Sequence, residues 1–192
     1  MSLRHCHTFK GLGGIAMVLC TAAALASKVG AQTSSFRPYQ HKALYLYQFA
    51  KYTEWPKENL GDENEPFVLG ILGRDPFGKD IDIIQGKPIK GRKLTVKRFA
   101  KVQEVTGCQL LFICSSETEQ LPQILKALEK SSILTIAETE GFAQQSAMIN
   151  LVAEQKTAGS QTVSFEINRA AAEKANLKLD TQLLKLAKRV KS

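Results

Sequence analysis

The side chains able to do covalent, redox or metal chemistry are few, and their spacing is wrong for it. The chain holds three histidines (His5, His7, His41) and four cysteines (Cys6, Cys20, Cys108, Cys114) in 192 residues. His5, His7, Cys6 and Cys20 lie within the first 31 residues, which read as an export leader, so the mature chain keeps His41, Cys108 and Cys114. One histidine and two cysteines six residues apart, with no C-x-x-C, assemble neither a zinc site nor a thioredoxin-type redox centre at ordinary ligand spacing. A Ser-His-Asp or Cys-His arrangement would have to be built on His41, and no motif supplies its partners. A glycosidase pair of carboxylates is compatible with composition, yet no motif points to one. The sequence therefore implies no catalytic residue, no cofactor and no metal.

Three other patterns could bind rather than react. Gly70-Ile71-Leu72-Gly73 followed by Asp75-Pro76-Phe77-Gly78 invites a phosphate-loop reading. It has neither G-x-G-x-x-G nor G-K-[ST], and its proline removes one amide donor, so a structural turn is the default. Glu166 and Asn168 alternate with Phe165 and Ile167, which on a strand places the two polar side chains on one face. They can serve a cleft, or a solvated face with Asn168 capping the next helix. Lys87 to Lys101 holds seven basic residues and no acid. Such a stripe suits a solvated face, or attracts an acidic partner, an anionic membrane surface or a cell-wall polymer. Nucleic acid is excluded as a partner for an exported protein without aromatic residues interleaved among these charges.

Export is read from the N-terminus. Arg4, His5, His7 and Lys10 form a basic start without an acid, Leu12 to Ala26 is apolar, and Val29 and Ala31 flank a cleavage site before Gln32. Cleavage after Ala31 is predicted over the earlier Ala24-Leu25-Ala26 site. The apolar run is shorter than the roughly 20 residues of a spanning helix, and Leu19 is unsuited to a lipoprotein site at Cys20. Losing Arg4, Lys10 and Lys28 and no acid leaves 23 basic against 18 acidic residues, so the charge falls from +8 to +5. Residues 1–31 are thus a signal peptide and 32–37 a short tail. Residues 38–192 form one domain large enough to fold without staples.

The elements that must position these residues alternate in type. Pro38 to Tyr52 is helical in composition and is stopped by Trp55-Pro56. Phe67 to Gly73 reads as a buried strand feeding a helix near Lys79 to Gln85. Leu94 to Phe99, Gln109 to Cys114 and Ser132 to Ala137 read as strands, with a helix over Glu117 to Lys130. Met148 to Glu154 and Thr162 to Asn168 flank a polar turn and predict an antiparallel hairpin at the sheet's edge. Helices over Arg169 to Ala175 and Thr181 to Val190 follow, the second capped by Asp180 or Thr181 and ended by Lys185, Lys188, Arg189 and Lys191. The expected fold class is α/β: a single three-layer domain with a mixed, mostly parallel sheet covered by helices on both faces and a C-terminal β-hairpin edge.

All four tyrosines and the one tryptophan lie between Tyr39 and Trp55, which marks either a core anchor or a docking surface. The company this stretch keeps is a series of blocks: L-G-R-D-P-F-G (Leu72 to Gly78), G-K-P-I-K-G-R-K-L-T-V (Gly86 to Val96) and C-Q-L-L-F-I (Cys108 to Ile113). Then come F-A-Q-Q-S-A-M-I-N (Phe142 to Asn150), F-E-I-N (Phe165 to Asn168) and L-L-K-L-A-K-R-V (Leu183 to Val190). In this order they resemble the YfiR/HmsC-like family of small periplasmic proteins over about Tyr39 to Val190. The chain departs from the family pattern at Ser146-Ala147, where Gly-Gly is common. It also has Gly70 where members often carry a cysteine able to pair with the one at Cys108, and no cysteine near Met148.

The resemblance implies a non-enzymatic periplasmic regulator. Its partner would be the periplasmic sensing domain of an inner-membrane diguanylate cyclase, or a related sensor, and repression would lower cyclic di-GMP and biofilm formation. An inhibitor of this kind needs only differential affinity for the inactive state of its partner. Membrane contact would come through the partner alone. The candidate partner-binding residues are Trp55, Phe142, Met148, Glu166 and Asn168. The alternative is a periplasmic small-molecule binding module serving a sensor or transporter, with its cleft at the carboxyl ends of the parallel strands near Asp75. An exported hydrolase is a third reading.

Overall fold

The structure, a computed structural model, describes residues 37–138, 147–155 and 161–191. These fall in one compact unit, Ser35–Ser192. The chain opens with helix α1 (Pro38–Lys51), and Pro38, which lacks an amide hydrogen, sits in its first turn, where none is needed. Its inward face is Ala43, Leu46, Phe49 and Ala50. Tyr52 leaves the helix, and Thr53–Glu54 (β1) extends to pair antiparallel with Lys178–Leu179 (β9).

The remaining strands are β2 (Phe67–Leu72), β3 (Pro88–Ile89), β4 (Arg92–Phe99), β5 (Leu110–Ile113), β6 (Leu134–Ala137), β7 (Ile149–Gln155), β8 (Gln161–Asn168) and β10 (Arg189–Lys191). They form one eight-stranded sheet in the order β10-β8-β7-β6-β5-β2-β4-β3. Every neighbouring pair is parallel except β7 with β8 and β4 with β3. The expected mixed, mostly parallel α/β sheet is therefore present.

Alternation along the central strands explains why they read as continuous apolar runs. Phe67, Leu69, Ile71, Leu110, Phe112, Leu134 and Ile136 enter the core that also holds the α1 residues. Val68, Leu72, Leu111, Ile113 and Ala137 enter a second core with Leu121, Ile124 and Leu128 of helix α2 (Leu121–Leu128). Both faces of these strands are dry, as a parallel sheet requires. The first core also takes Ala172 from helix α3 (Arg169–Lys174) and Leu183 from helix α4 (Thr181–Leu186).

Three expectations need correction. The helix expected near Lys79 to Gln85 is a 3-10 helix, Gly78–Ile83, and the one expected from Glu117 begins as a 3-10 helix, Ser115–Gln120, before α2. The last helix ends at Leu186, because Ala187 turns extended (φ −68°, ψ 137°). Lys188 then donates its amide to the Phe165 carbonyl at 2.8 Å, and the chain continues as β10. Consequently the β7–β8 hairpin is not the sheet's edge. The outer carbonyls and amides of β8 take backbone partners from the tail, whereas a helix there would have left them bare.

Candidate functional site

Trp55, one of the candidate partner contacts, is packed into the core. It is 7% exposed, lies edge-on to Phe67 with ring centroids 5.2 Å apart, and donates its indole N–H to the Gln109 carbonyl at 3.0 Å. Gln109 is a hub: its Oε1 accepts from the Val68 amide at 2.8 Å and its Nε2 donates to the Asn59 carbonyl at 3.0 Å. The tryptophan thus clamps the loop after α1 onto the start of β5. Phe142 lies outside the described residues.

Met148 and Asn168 are brought together. The Asn168 amide donates to the Met148 carbonyl at 2.8 Å, and the Met148 amide to Thr135 Oγ1 at 3.3 Å. Asn168 is also the N-cap of α3, accepting from the Ala171 amide at 3.1 Å, so the structural role weighed for it is present. Both residues line a cleft of about 440 Å³ whose walls include Leu125, Ala171 and three lysines, Lys126, Lys174 and Lys191. Register places Glu166 opposite Asn150 on β7 and Arg189 on β10. Glu166 is 3.8 Å from the Arg189 guanidinium, and beside it Asn150 Oδ1 is buried without a hydrogen-bond partner. Hence four of the five candidates have positions in the fold: Met148, Asn168 and Glu166 share one region and Trp55 is remote in role.

The carboxyl ends of the parallel strands, where a ligand cleft was expected near Asp75, are filled by side chains. The topology does switch direction there, since β4 and β5 lie on opposite sides of β2. The two loops are packed together, however. The Arg74 amide donates to Ser116 Oγ at 3.0 Å, and a Cβ added at Gly73 would meet Ser116 and Glu117 at 2.5 Å. Gly73, at φ +94°, is thus required both by its backbone and by its neighbours. Phe77 covers Phe112 at 4.9 Å, and Tyr39 covers Phe77 at 5.4 Å. Asp75 accepts from the Phe77 amide and pairs with Arg98 at 2.7 Å.

Beside this plug lies a feature that sequence reading missed, a buried ion pair between Lys42 and Glu138 at 2.5 Å, with side chains 10% and 4% exposed. Tyr39 donates to the same carboxylate at 3.3 Å, and the Lys42 ammonium sits 4.4 Å from the Tyr39 ring centre. Burial, then the Glu138 charge, pushes the Tyr39 hydroxyl up to about 12. Residues 96 positions apart carry no joint signal in a single sequence. The one hint is a lysine on the apolar face of α1, with Ala43 and Leu46 beside it.

Cys108 and Cys114 are buried and free. Burial raises each thiol to about 12, so both are neutral packing groups. Among the described residues no group of three or more His, Cys, Asp or Glu side chains could hold a metal ion. No helix there is long and apolar enough to cross a membrane.

A family profile described as YfiR/HmsC-like matches residues 39–188. The chain belongs to the YfiR/HmsC-like family. That family consists of periplasmic regulators of membrane diguanylate cyclases rather than enzymes. No curated protein matches the sequence. Among solved structures, the chain is similar to a conserved domain protein from Vibrio cholerae O1 biovar eltor, with a TM-score of 0.54 and 11% identity over 80% of this chain and 60% of that one. The ABC domain in complex with L-Trp from Streptococcus pneumonia gives 0.48 and 13% over the same shares. The chain therefore spans about 60% of the length of these neighbours, and the first supports the α/β fold alone.

Proposed function

We propose that this YfiR-like protein is exported, is cleaved after Ala31, and represses an inner-membrane diguanylate cyclase by binding its periplasmic sensing domain. The observation that carries the reading is family membership across residues 39–188, essentially the whole folded unit. Repression requires only that the protein bind the inactive sensor more tightly than the active one. No chemical step is asked of it.

The contact region is assigned to the β8–α3 side, where Met148 and Asn168 line one cleft and Glu166 stands two residues before Asn168 on β8; Phe142 is kept as a candidate from the sequence. Lys126, Lys174 and Lys191 against the single acid Glu129 leave that cleft with a net basic rim over an apolar floor, which suits an acidic segment carrying an apolar anchor. The test is titration of the purified periplasmic cyclase domain with the exported protein. Lys174→Glu should weaken binding severalfold without changing the melting temperature, since Lys174 is exposed. Unchanged affinity would move the contact elsewhere.

The small-molecule alternative is favoured by one observation: a cleft of about 440 Å³ falls in the size range of ligand pockets. A ligand acting there would compete with the sensing domain in the same titration.

A further inference from the structure

The lysine-rich stretch from Lys87 to Lys101 is placed by the fold along one margin of the sheet, β3 and the outer strand β4. Both of its arginines are engaged, Arg92 inside the molecule and Arg98 in an ion pair at the surface. Arg92 is buried and donates to the carbonyls of Gly61, Asp62 and Glu65, fixing the loop before β2. Arg98 is paired with Asp75. Lys87, Lys90, Lys93, Lys97 and Lys101 are all exposed, and none has a carboxylate partner among the described residues. Glu104, the acid that follows, accepts the amides of Ala100 and Lys101.

The arrangement is built rather than incidental. Ile89 pairs with Arg92, so Lys90 and Gly91 are the two residues of a hairpin turn, with φ of 49° and 81°. A turn with positive φ at both positions favours Asn, Asp or Gly at the first. Here a lysine occupies it and stands at the hairpin tip. Leu94 is buried and Val96 packs against the first core, so Lys93 and Lys97 project together from the other face of β4. They are about 13 Å apart along the strand. Lys87 and Lys51 flank the Tyr47 ring at 5.6 and 5.7 Å from its centre, adding charge on the α1 side of the same margin, the face opposite Lys93 and Lys97.

We propose that this β3–β4 margin docks directly on an anionic membrane leaflet. A surface shaped for one acidic protein relies on buried aromatic or arginine anchors with fixed geometry. The free charges here are lysines only, point charges on flexible stems, which suit a fluid layer of phosphate headgroups. Held against the membrane that carries its partner, the protein would search a plane rather than a volume. The inference rests on the periplasmic location and is independent of the cyclase.

The exported protein is tested by cosedimentation with vesicles of phosphatidylglycerol and phosphatidylethanolamine, against pure phosphatidylcholine. Binding is expected on the anionic vesicles alone, and should be lost near about 0.5 M salt, where charges are screened within a few ångströms. The triple variant Lys90→Gln, Lys93→Gln, Lys97→Gln should lower the partition coefficient about a hundredfold. A control removing the same charge elsewhere, Lys126→Gln, Lys174→Gln, Lys185→Gln, should bind as the parent does. Circular dichroism checks that both variants fold. No binding to anionic vesicles, equal binding to neutral ones, or an equal loss in the control overturns the proposal. Binding to polyglutamate without binding to vesicles would assign the patch to an acidic polypeptide and likewise overturn it. The vesicles contain no cyclase, so failure here leaves the repressor reading standing.

Discussion

A Cβ added at Gly70 of β2 would lie 2.9 Å from the Cys108 sulfur. That is close to the Cβ-to-sulfur separation across a disulfide, so a cysteine at position 70 would face Cys108. Gly70→Cys is expected to form a disulfide with Cys108 on export, with a mass two units lower than the dithiol. The oxidised variant should be about 2–4 kcal/mol more stable than its own reduced form. Gly70→Ala gains the crowding without the bond. Its methyl would meet Leu111 Cδ1 and Phe99 Cε2 at 2.8 Å, a cost of about 1–3 kcal/mol. Thermal melts with and without reductant separate the two effects.

The parent protein should ignore mild reductant. Cys108 and Cys114 flank the four residues of β5 plus Gln109, so their α-carbons stand about 20 Å apart, against about 7 Å for a bridge. Alkylation should count two thiols after denaturation and almost none before it. A mass two units low in the parent would overturn the strand assignment.

Alkaline pH should destabilise the fold. The two thiols rise from 9.0 to about 12 and Tyr39 from 10.0 to about 12 on folding. The folded state therefore keeps protons that the unfolded chain releases. Their stabilisation is complete below pH 9 and is lost as the pH rises from about 9 through 12. Denaturant midpoints measured from pH 7 to 11 should fall above pH 9, and a Cys108→Ala, Cys114→Ala variant should show a smaller fall.

Much of the fold was legible because it is written in apolar periodicity. Phe67 to Leu72 and Leu110 to Ile113 are dry on both sides, and such runs announce parallel strands. The C-terminus was misread for a physical reason: Leu183 to Val190 has the composition of a basic helix, but the open edge of β8 offers Lys188 and its successors better hydrogen bonds than further helical turns would. Site legibility was poorer. Trp55 carries the same sequence signal whether it anchors a core or an interface, and its burial over the Gln109 carbonyl shows only in the folded chain. The Lys42–Glu138 pair joins α1 to the end of β6 and is visible only in three dimensions.

That pair gives a stability test. Lys42→Met should strand the Glu138 charge in the interior and cost about 3–5 kcal/mol. Adding Glu138→Gln should recover most of the loss, because neither charge then remains buried alone. If the single variant unfolds no earlier than the parent, the pair is not buried as described.

The Trp55 assignment is tested by separating folding from binding. Trp55→Ala should cost about 3–5 kcal/mol, while the fraction that stays folded binds the cyclase domain as the parent does. Weakened binding by a protein of unchanged stability would return Trp55 to the interface.

The central claim is repression through a membrane cyclase, and cellular cyclic di-GMP reports on it most directly. Deleting the gene should raise the nucleotide severalfold, and deleting the cognate cyclase as well should return it to the parental level. Elevated cyclic di-GMP that persists after loss of the membrane cyclase, or no rise on deleting the regulator, would contradict the account.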